Sequence, residues 1–231
     1  DFLETLEVPA YKIASFENNH LPLIAKAAST GKPLIISTGM ASLSELEMAV
    51  TTAREAGCKD LILLKCTSTY PATPENTNVL TIPHMRNLFN CEVGLSDHTT
   101  NNLSSYSAIA LGASIIERHY TDNMERPGPD IICSMDEEEC KKLIKNSKII
   151  KSMLGGVKEP AKEEKVTIDF AFATVVSIKD ISKGDKLTEK NIWVKRPGTG
   201  EIKAEFYKQV LGKVSKNNLK EGEHLSWSDF D

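Results

Sequence analysis

The sequence lacks any long apolar run and any strong excess of charge of one sign. No segment approaches the roughly 18–20 consecutive apolar residues that a membrane-spanning helix needs. The formal net charge of −4 over 231 residues gives no reason to expect a nucleic acid or a membrane surface as a partner. The opening segment, DFLETLEVPAYK, lacks the basic and apolar parts of a signal peptide.

The cysteines are few and scattered, which argues against a disulfide framework or a zinc site. The chain has five, at positions 58, 66, 91, 133 and 140. No pair has the spacing of a zinc-binding motif, and we expect all of them to be reduced thiols. Together these absences predict a cytoplasmic protein that binds neither nucleic acid nor membrane.

What the sequence does have is a series of short apolar runs rich in β-branched residues. They occupy 10–15, 33–39, 60–66, 92–98 and 114–120, so their starts are about 22–32 residues apart. Helical patterns fill the gaps at 21–30, 42–57, 102–113 and 135–154. Ser42 and Glu45 form a capping-box signature for the second helix, and Ser134 with Glu137 predicts the start of the last. This alternation is typical of βα units.

Continuous apolar strands indicate parallel strands that are buried on both faces. Because each one ends in polar residues, they favour an α/β fold of the TIM (β/α)8 barrel type, with a doubly wound sheet as the alternative. About five βα units cannot close an eight-stranded barrel, so we predict a partial barrel made of the C-terminal units. About three units would then be missing on the N-terminal side.

The composition changes after the first two thirds of the chain. Residues 1–155 form the predicted barrel domain, 156–168 are charged and contain Gly and Pro as a linker does, and 169–231 predict a small β-rich domain. Two phrases in the last segment, SKGDKLT and LKEGEHLS, resemble each other.

Polar residues gather at the predicted strand ends, which meet at one mouth of a barrel. They are Lys12, Ser15, Glu17, Ser37, Thr38, Lys65, Thr67, Ser68, Tyr70, Ser96, Asp97, His98, Glu117, Arg118 and His119. Hydroxyls and a lysine can hold a phosphate or carboxylate. His98 and His119, at matching positions of adjacent strands, can share a divalent metal that keeps open positions for substrate.

Structural interpretations of the same residues stay open. Either histidine could be a hydrogen-bonded structural residue, and Ser37 with Thr38 could cap the next helix. Glu117 and Arg118 could form a structural ion pair. Lys12 is harder to explain in this way, because a lysine buried in an apolar strand without a partner is costly.

Five motifs at the strand ends resemble the sialic acid synthases, the N-acetylneuraminate synthase family of nonulosonate synthases. They are YKIAS followed by Glu17, ISTGMAS, KCTSTYP, GLSDHT and ERHYTDNMERPGPD. The segment KDISKGDKLTEKNIWVKRPGTG resembles the C-terminal SAF, or antifreeze-like, domain of that family. The resemblance covers essentially the whole chain, in the expected order.

The resemblance implies a transferase that condenses phosphoenolpyruvate with an N-acylated hexose, such as N-acetylmannosamine, and releases phosphate. Because the N-terminal strands of the family carry further substrate contacts and an acidic catalytic residue, it also implies that this polypeptide alone is inactive. It implies a divalent metal, typically Mn²⁺, with His98 and His119 as ligands. The side chains that would hold phosphoenolpyruvate are those of Lys12, Ser15, Ser37, Ser68 and Ser96. The sugar would face Tyr70, Asp130 and Glu17, with Glu17 a candidate for proton transfer. Arg196 would reach the sugar of a neighbouring subunit, which implies a domain-swapped homodimer.

Alternatives remain at this point. Some segments favour an N-acetylneuraminate or legionaminate synthase and others a pseudaminate synthase of the same family. The SAF domain of the family usually opens with a basic stretch, whereas this chain has FAFAT at 170–174. A barrel aldolase with Lys12 or Lys65 as a Schiff-base nucleophile is a second enzymatic hypothesis. A non-catalytic sugar-binding fragment is the third.

Overall fold

The computed structural model describes residues 1–231 and divides the chain into two units, Asp1–Gly155 and Gly156–Asp231. No helix has both the length and the apolar character required to cross a bilayer.

A parallel sheet forms the centre of the first unit. Its strands are β1 (Tyr11–Ile13), β2 (Leu34–Ser37), β3 (Leu61–Cys66), β4 (Glu92–Asp97) and β5 (Ile116–Arg118). Each strand pairs in parallel with the next one along the chain, in the order β1-β2-β3-β4-β5. A doubly wound sheet would reverse its strand order at a switch point. The unit is therefore an α/β half barrel, and the doubly wound alternative is wrong.

Helices cover one face of this sheet. They are α1 (Leu21–Ala28), α2 (Leu43–Glu55), α3 (Thr81–Phe89), α4 (Leu103–Ala110) and α5 (Glu137–Met153). The capping box of α2 is confirmed, since the Glu45 N–H donates to the Ser42 hydroxyl at 3.4 Å and the Ser42 N–H donates to the Glu45 carboxylate at 2.7 Å.

The predicted helices differ from the observed ones in two places. The last helix begins after Asp136 and not at Ser134, because the Asp136 carboxylate accepts from the Glu139 N–H at 2.8 Å. The Ser134 hydroxyl instead donates to the Asp130 carbonyl at 2.8 Å. Helix α3 was not predicted, although it buries Ile82, Met85 and Phe89 on one face.

The apolar core lies between the sheet and the helices. Leu34, Ile36 and Leu63 from the strands are fully buried, as are Ile24 and Ile82 from the helices. Burial at about 25 cal/mol per Å² of apolar surface makes this layer the main source of stability. The carboxyl ends of the strands lie beyond the core and carry the buried polar side chains.

The second unit contains α6 (Lys165–Ala171), β6 (Thr174–Ser177), β7 (Ile192–Lys195) and α7 (Tyr207–Val210). Strands β6 and β7 pair antiparallel. The remaining β-pairing of this unit consists of isolated bridges, such as the one between Ile181 and Leu219. The segment predicted as a linker is partly helical, because a turn at Lys162–Glu164 leads directly into α6. A separate core includes Val175, Leu187 and Ile192.

The two similar phrases of this unit fold into the same turn. In one the Ser182 N–H donates to the Asp185 carboxylate, and in the other the Lys220 N–H donates to the Glu223 carboxylate, at 2.8 and 2.7 Å. Gly184 and Gly222 precede the two acidic residues with φ of 93° and 89°, a conformation that favours glycine.

Candidate active site

The carboxyl ends of the five strands surround a cavity of about 330 Å³. Its lining consists of Lys12, Ala14, Ser15, Phe16, Ser37, Cys66, Tyr70, Ser96, His98, Glu117, Arg118 and His119. Seven of the predicted site residues therefore lie together, namely Lys12, Ser15, Ser37, Tyr70, Ser96, His98 and His119, and they are joined by Glu117 and Arg118 from the same strand ends.

Four of the predicted site residues do not line this cavity. Ser68 lies behind Cys66, with its hydroxyl 3.7 Å from the Cys66 sulfur. Glu17 is partly buried at the end of the turn Ser15–Glu17. Asp130 is exposed, and its carboxylate lies 3.6 Å from Nδ1 of His119. Arg196 is exposed on the second unit.

The two histidine rings face each other at the ends of β4 and β5, with centroids 5.2 Å apart. The Nδ1 atom of His98 donates to the Thr67 carbonyl at 2.9 Å, and Nδ1 of His119 lies 3.6 Å from the Asp130 carboxylate. Partners at Nδ1 fix the ring orientation and leave Nε2 for a ligand, as is common for metal-binding histidines. Burial lowers the pKa of His98, but the contacts with Cys66 and the Thr67 carbonyl outweigh it and raise the pKa.

This donor set fits a divalent cation held from one side. The structure has no group of three or more His, Cys, Asp or Glu side chains that could enclose a metal. Two imidazoles with oriented Nδ1 atoms would leave several coordination positions open, as catalytic metal sites require and structural sites do not. His98 and His119 are the residues that would hold it.

Tyr70 packs against both histidines. Its ring centroid lies 4.2 Å from that of His98 and 5.7 Å from that of His119. Burial raises the pKa of the Tyr70 hydroxyl, which therefore stays protonated and can donate a hydrogen bond. The ring restricts both imidazoles and adds a polar group at the cavity rim.

Serine hydroxyls line the side of the cavity formed by β1 and β2. The Ser15 hydroxyl accepts from the Gly39 N–H at 3.0 Å, and the Ser37 hydroxyl is buried without any partner. A Cβ at Gly39 would lie 2.1 Å from the Ser68 hydroxyl, so this close approach requires glycine. A buried hydroxyl without a partner is costly unless a ligand satisfies it. Ser37 is thus suited to bind one.

The charged residues pair differently from the sequence-based interpretation. Lys12 is not buried alone: its side chain is 36% exposed and its ammonium lies 3.0 Å from the Glu117 carboxylate. Glu117 therefore pairs with Lys12 and not with Arg118. Consecutive residues of a strand point to opposite faces, so Glu117 and Arg118 cannot face each other.

Arg118 lines the cavity as well, but its side chain belongs to a buried network. Its guanidinium donates to the Asn102 side chain at 2.5 Å and to the Thr99 carbonyl at 2.6 Å. Its Nε lies 3.9 Å from the Asp97 carboxylate, and both side chains are 1% exposed. Asp97 also accepts from the Ser105 hydroxyl at 2.6 Å. This network holds the ends of β4 and β5 together.

Two further features were not expected from the sequence alone. Cys66 lines the cavity, and burial raises the pKa of its thiol, but contacts with His98, Ser15 and Ser68 bring it down to about 7. Cys66 is the last residue of β3, and this position at a strand end could have predicted that it lines the cavity. Lys65, considered as a nucleophile, is buried away from the cavity and donates to the Thr67 hydroxyl at 2.5 Å.

Known proteins resemble the chain along its whole length. The NeuB family model matches residues 1–159 and the SAF domain model matches residues 172–231. The pseudaminic acid synthase of Helicobacter pylori is 40% identical over 235 residues, which cover 100% of this chain and 68% of that protein. The N,N'-diacetyllegionaminic acid synthase of Campylobacter jejuni is 38% identical over 226 residues, which cover 96% of this chain and 67% of that protein.

A solved structure agrees with these matches. The N-acetylneuraminic acid (sialic acid) synthetase of Leptospira borgpetersenii, crystallised in complex with citrate, superposes with a TM-score of 0.67 at 34% identity. The superposition covers 72% of this chain and 58% of that chain.

Proposed function

The chain belongs to the NeuB family of nonulosonate synthases and carries a SAF domain, and from this we propose that it joins phosphoenolpyruvate to an N-acylated hexose. The products would be a nonulosonate and inorganic phosphate, with one water consumed. The observation that carries the proposal is the cavity itself, in which two oriented histidines face a lysine and several serine hydroxyls. That combination suits a small, highly anionic substrate beside a Lewis acid.

Phosphoenolpyruvate would bind on the side of Lys12, Ser15, Ser37 and Ser96. An ammonium and hydroxyls form charge-assisted hydrogen bonds with phosphate and carboxylate oxygens. The buried Ser37 hydroxyl would gain the partner that the protein does not supply. These groups would fix the enol carbon C3 against the aldehyde carbon of the open-chain sugar. Positioning of this kind supplies much of the rate of a two-substrate condensation.

We propose Mn²⁺ as the cation held by His98 and His119, where it would polarise the sugar carbonyl. The protonated Tyr70 hydroxyl, at the rim of the same cavity, is placed to donate to a sugar oxygen. Asp130 would both orient His119 and face the sugar. Glu17 does not line the cavity, so its role in proton transfer remains a prediction without support from the geometry.

The identity of the sugar is proposed only as a class. The Helicobacter relative is named a pseudaminic acid synthase and the Campylobacter relative a legionaminic acid synthase, at nearly equal identities of 40% and 38%. We therefore propose an N-acylated hexose without choosing between the branches. Arg196 forms no hydrogen bond and no ion pair, and we keep the prediction that it binds the sugar of a neighbouring subunit in a domain-swapped homodimer.

The test measures phosphate released from phosphoenolpyruvate with each of three sugars, namely N-acetylmannosamine and the precursors of legionaminate and pseudaminate. It uses the chain alone and the chain completed with the third of the Helicobacter relative that it does not match. We expect the completed protein to release phosphate in a reaction that depends on Mn²⁺ and is abolished by His98→Ala, and we expect no release from the chain alone. The exposed His84 provides the control, since His84→Ala should release phosphate at the wild-type rate. No release with any sugar from a folded, completed protein would refute the proposal.

A further inference from the structure

An ion pair crosses the cavity between the two edge strands of the sheet. Lys12 comes from β1 and Glu117 from β5, and their charged atoms lie 3.0 Å apart. Both residues line the cavity, which is not true of both partners in any other ion pair of the chain. The pair thus occupies the space in which the proposed reaction would occur.

This pair leaves hydrogen-bonding capacity unused on both sides. The second carboxylate oxygen of Glu117, Oε2, is buried and has no partner. The Lys12 ammonium has three donors and contacts Glu117 as its only acceptor. The two side chains are 36% and 37% exposed, and pairs that reach solvent in this way add little to stability. A contact that is both weak and incomplete is easily exchanged for a better one.

We propose that Glu117 is a counter-ion that substrate replaces. It would hold the Lys12 ammonium over the empty cavity until the anionic groups of phosphoenolpyruvate take Lys12 over. The released carboxylate would then accept hydrogen bonds from hydroxyl groups of the N-acylated sugar. This inference rests on the proposed function and makes Glu117 a binding residue for the second substrate.

The charges decide the direction of the exchange. Phosphoenolpyruvate carries close to three negative charges at neutral pH, whereas Glu117 carries one, so the substrate competes well for a single ammonium. The Glu117 carboxylate also repels the incoming anion and weakens its binding. A role for this carboxylate in a later step, the binding of the sugar, would explain why it is there. Hydrogen bonds from hydroxyls to an ionised carboxylate are among the stronger neutral-to-charged contacts. A polyhydroxylated sugar supplies such donors. The Glu117 carboxylate would be free to accept from them only after phosphoenolpyruvate had bound to Lys12.

The first test is the affinity for phosphoenolpyruvate, measured by calorimetry without sugar on the completed protein used in the assay above. Glu117→Gln keeps the size of the side chain and removes its charge. We expect this variant to bind phosphoenolpyruvate about three- to tenfold more tightly, because competition and repulsion are both removed. Glu117→Asp keeps the charge and is expected to bind close to wild type. Unchanged or weaker binding by Glu117→Gln would overturn the proposal.

The second test is sugar binding in the presence of phosphoenolpyruvate, with chelator added so that no turnover occurs. It uses the sugar that releases phosphate in the assay above. Glu117→Gln is expected to bind this sugar about tenfold more weakly while it binds phosphoenolpyruvate more tightly. A residue that only supports the fold would not shift the two affinities in opposite directions. Equal sugar affinities for wild type and variant would also overturn the proposal.

A matched control is available on α5. Glu138 pairs with Lys141 at 3.0 Å, the same distance as Glu117 and Lys12, but lies on an exposed helix outside the cavity. Glu138→Gln should leave both affinities at wild-type values. If wild type itself does not bind phosphoenolpyruvate, the proposed function fails first, and this outcome is distinct from a failure confined to Glu117→Gln.

Discussion

The two faces of the strand ends β4 and β5 carry charged residues in opposite states. On the cavity face, Glu117 is about one third exposed, has one unpaired oxygen and contacts only the Lys12 ammonium. What we call the rear face consists of Asp97 and Arg118, whose side chains are only 1% exposed although Arg118 also lines the cavity. Hydrogen bonds from Ser105 to Asp97 and from Arg118 to Thr99 hold them. The protein therefore holds Asp97 and Arg118 by several hydrogen bonds, although Nε of Arg118 has no partner, whereas it holds Glu117 by a single contact beside the cavity. The comparison separates residues that stabilise the fold from residues that act.

The largest effect is expected on the rear face. Asp97→Ala should lower the free energy of unfolding by about 3–5 kcal/mol, because it leaves the buried Arg118 guanidinium without its counter-charge. It also removes the acceptor of the Thr99 N–H and the Ser105 hydroxyl. Chemical denaturation followed by circular dichroism measures the change.

A second Asp–Arg pair provides the control for this prediction. Asp122 and Arg126 lie 2.7 Å apart, but their side chains are 66% and 59% exposed. Asp122→Ala should therefore change the unfolding free energy by at most about 1 kcal/mol. Equal losses of unfolding free energy for the two variants would show that burial is not what makes the Asp97–Arg118 pair important for stability.

A smaller effect on the protein is expected at Asp130, which does not line the cavity but contacts the cavity-lining His119. Asp130→Asn keeps the shape of the side chain but weakens its contact with Nδ1 of His119, which is 3.6 Å away. We expect Mn²⁺ affinity to fall by about tenfold, as is typical when the partner of a ligating histidine is altered. Paramagnetic resonance titration of free Mn²⁺ measures this, with Asp122→Asn in the same loop as the control. An unchanged affinity would remove Asp130 from the proposed metal site.

The cavity face was largely predictable from sequence, whereas the rear face was not. Apolar runs that end in Ser96, His98 and His119 show that polar groups gather at one end of a parallel sheet. Which charges pair depends on which face each residue occupies and on the curvature of the sheet. The pairing of Lys12 with Glu117 joins the first strand to the last, and no local pattern encodes it.

Local signals also explain the two errors in the helices. Helix α3 has apolar positions at Ile82, Met85 and Phe89, but the residue before it is Leu80, whose side chain cannot cap a helix. The last helix offers both Ser134 and Asp136 as candidate caps. The choice of Asp136 depends on the Ser134 hydroxyl being used by the Asp130 carbonyl, a contact within the preceding loop.

The smallest effect on folding is expected at the residue most central to the cavity face. Lys12→Met keeps the approximate size of the side chain and removes the ammonium. It should change the unfolding free energy by at most about 1 kcal/mol, because the two side chains of the lost pair are 36% and 37% exposed. The same variant should bind phosphoenolpyruvate at least tenfold more weakly in calorimetry, since it loses a charge-assisted contact with the substrate. A large loss of stability with unchanged binding would reverse the assignment, making Lys12 a structural residue and the cavity-face pair a counterpart of Asp97 and Arg118. A small loss of stability with weakened binding would mean that the charges of the cavity face serve the ligand, whereas Asp97 and Arg118 on the rear face serve the fold.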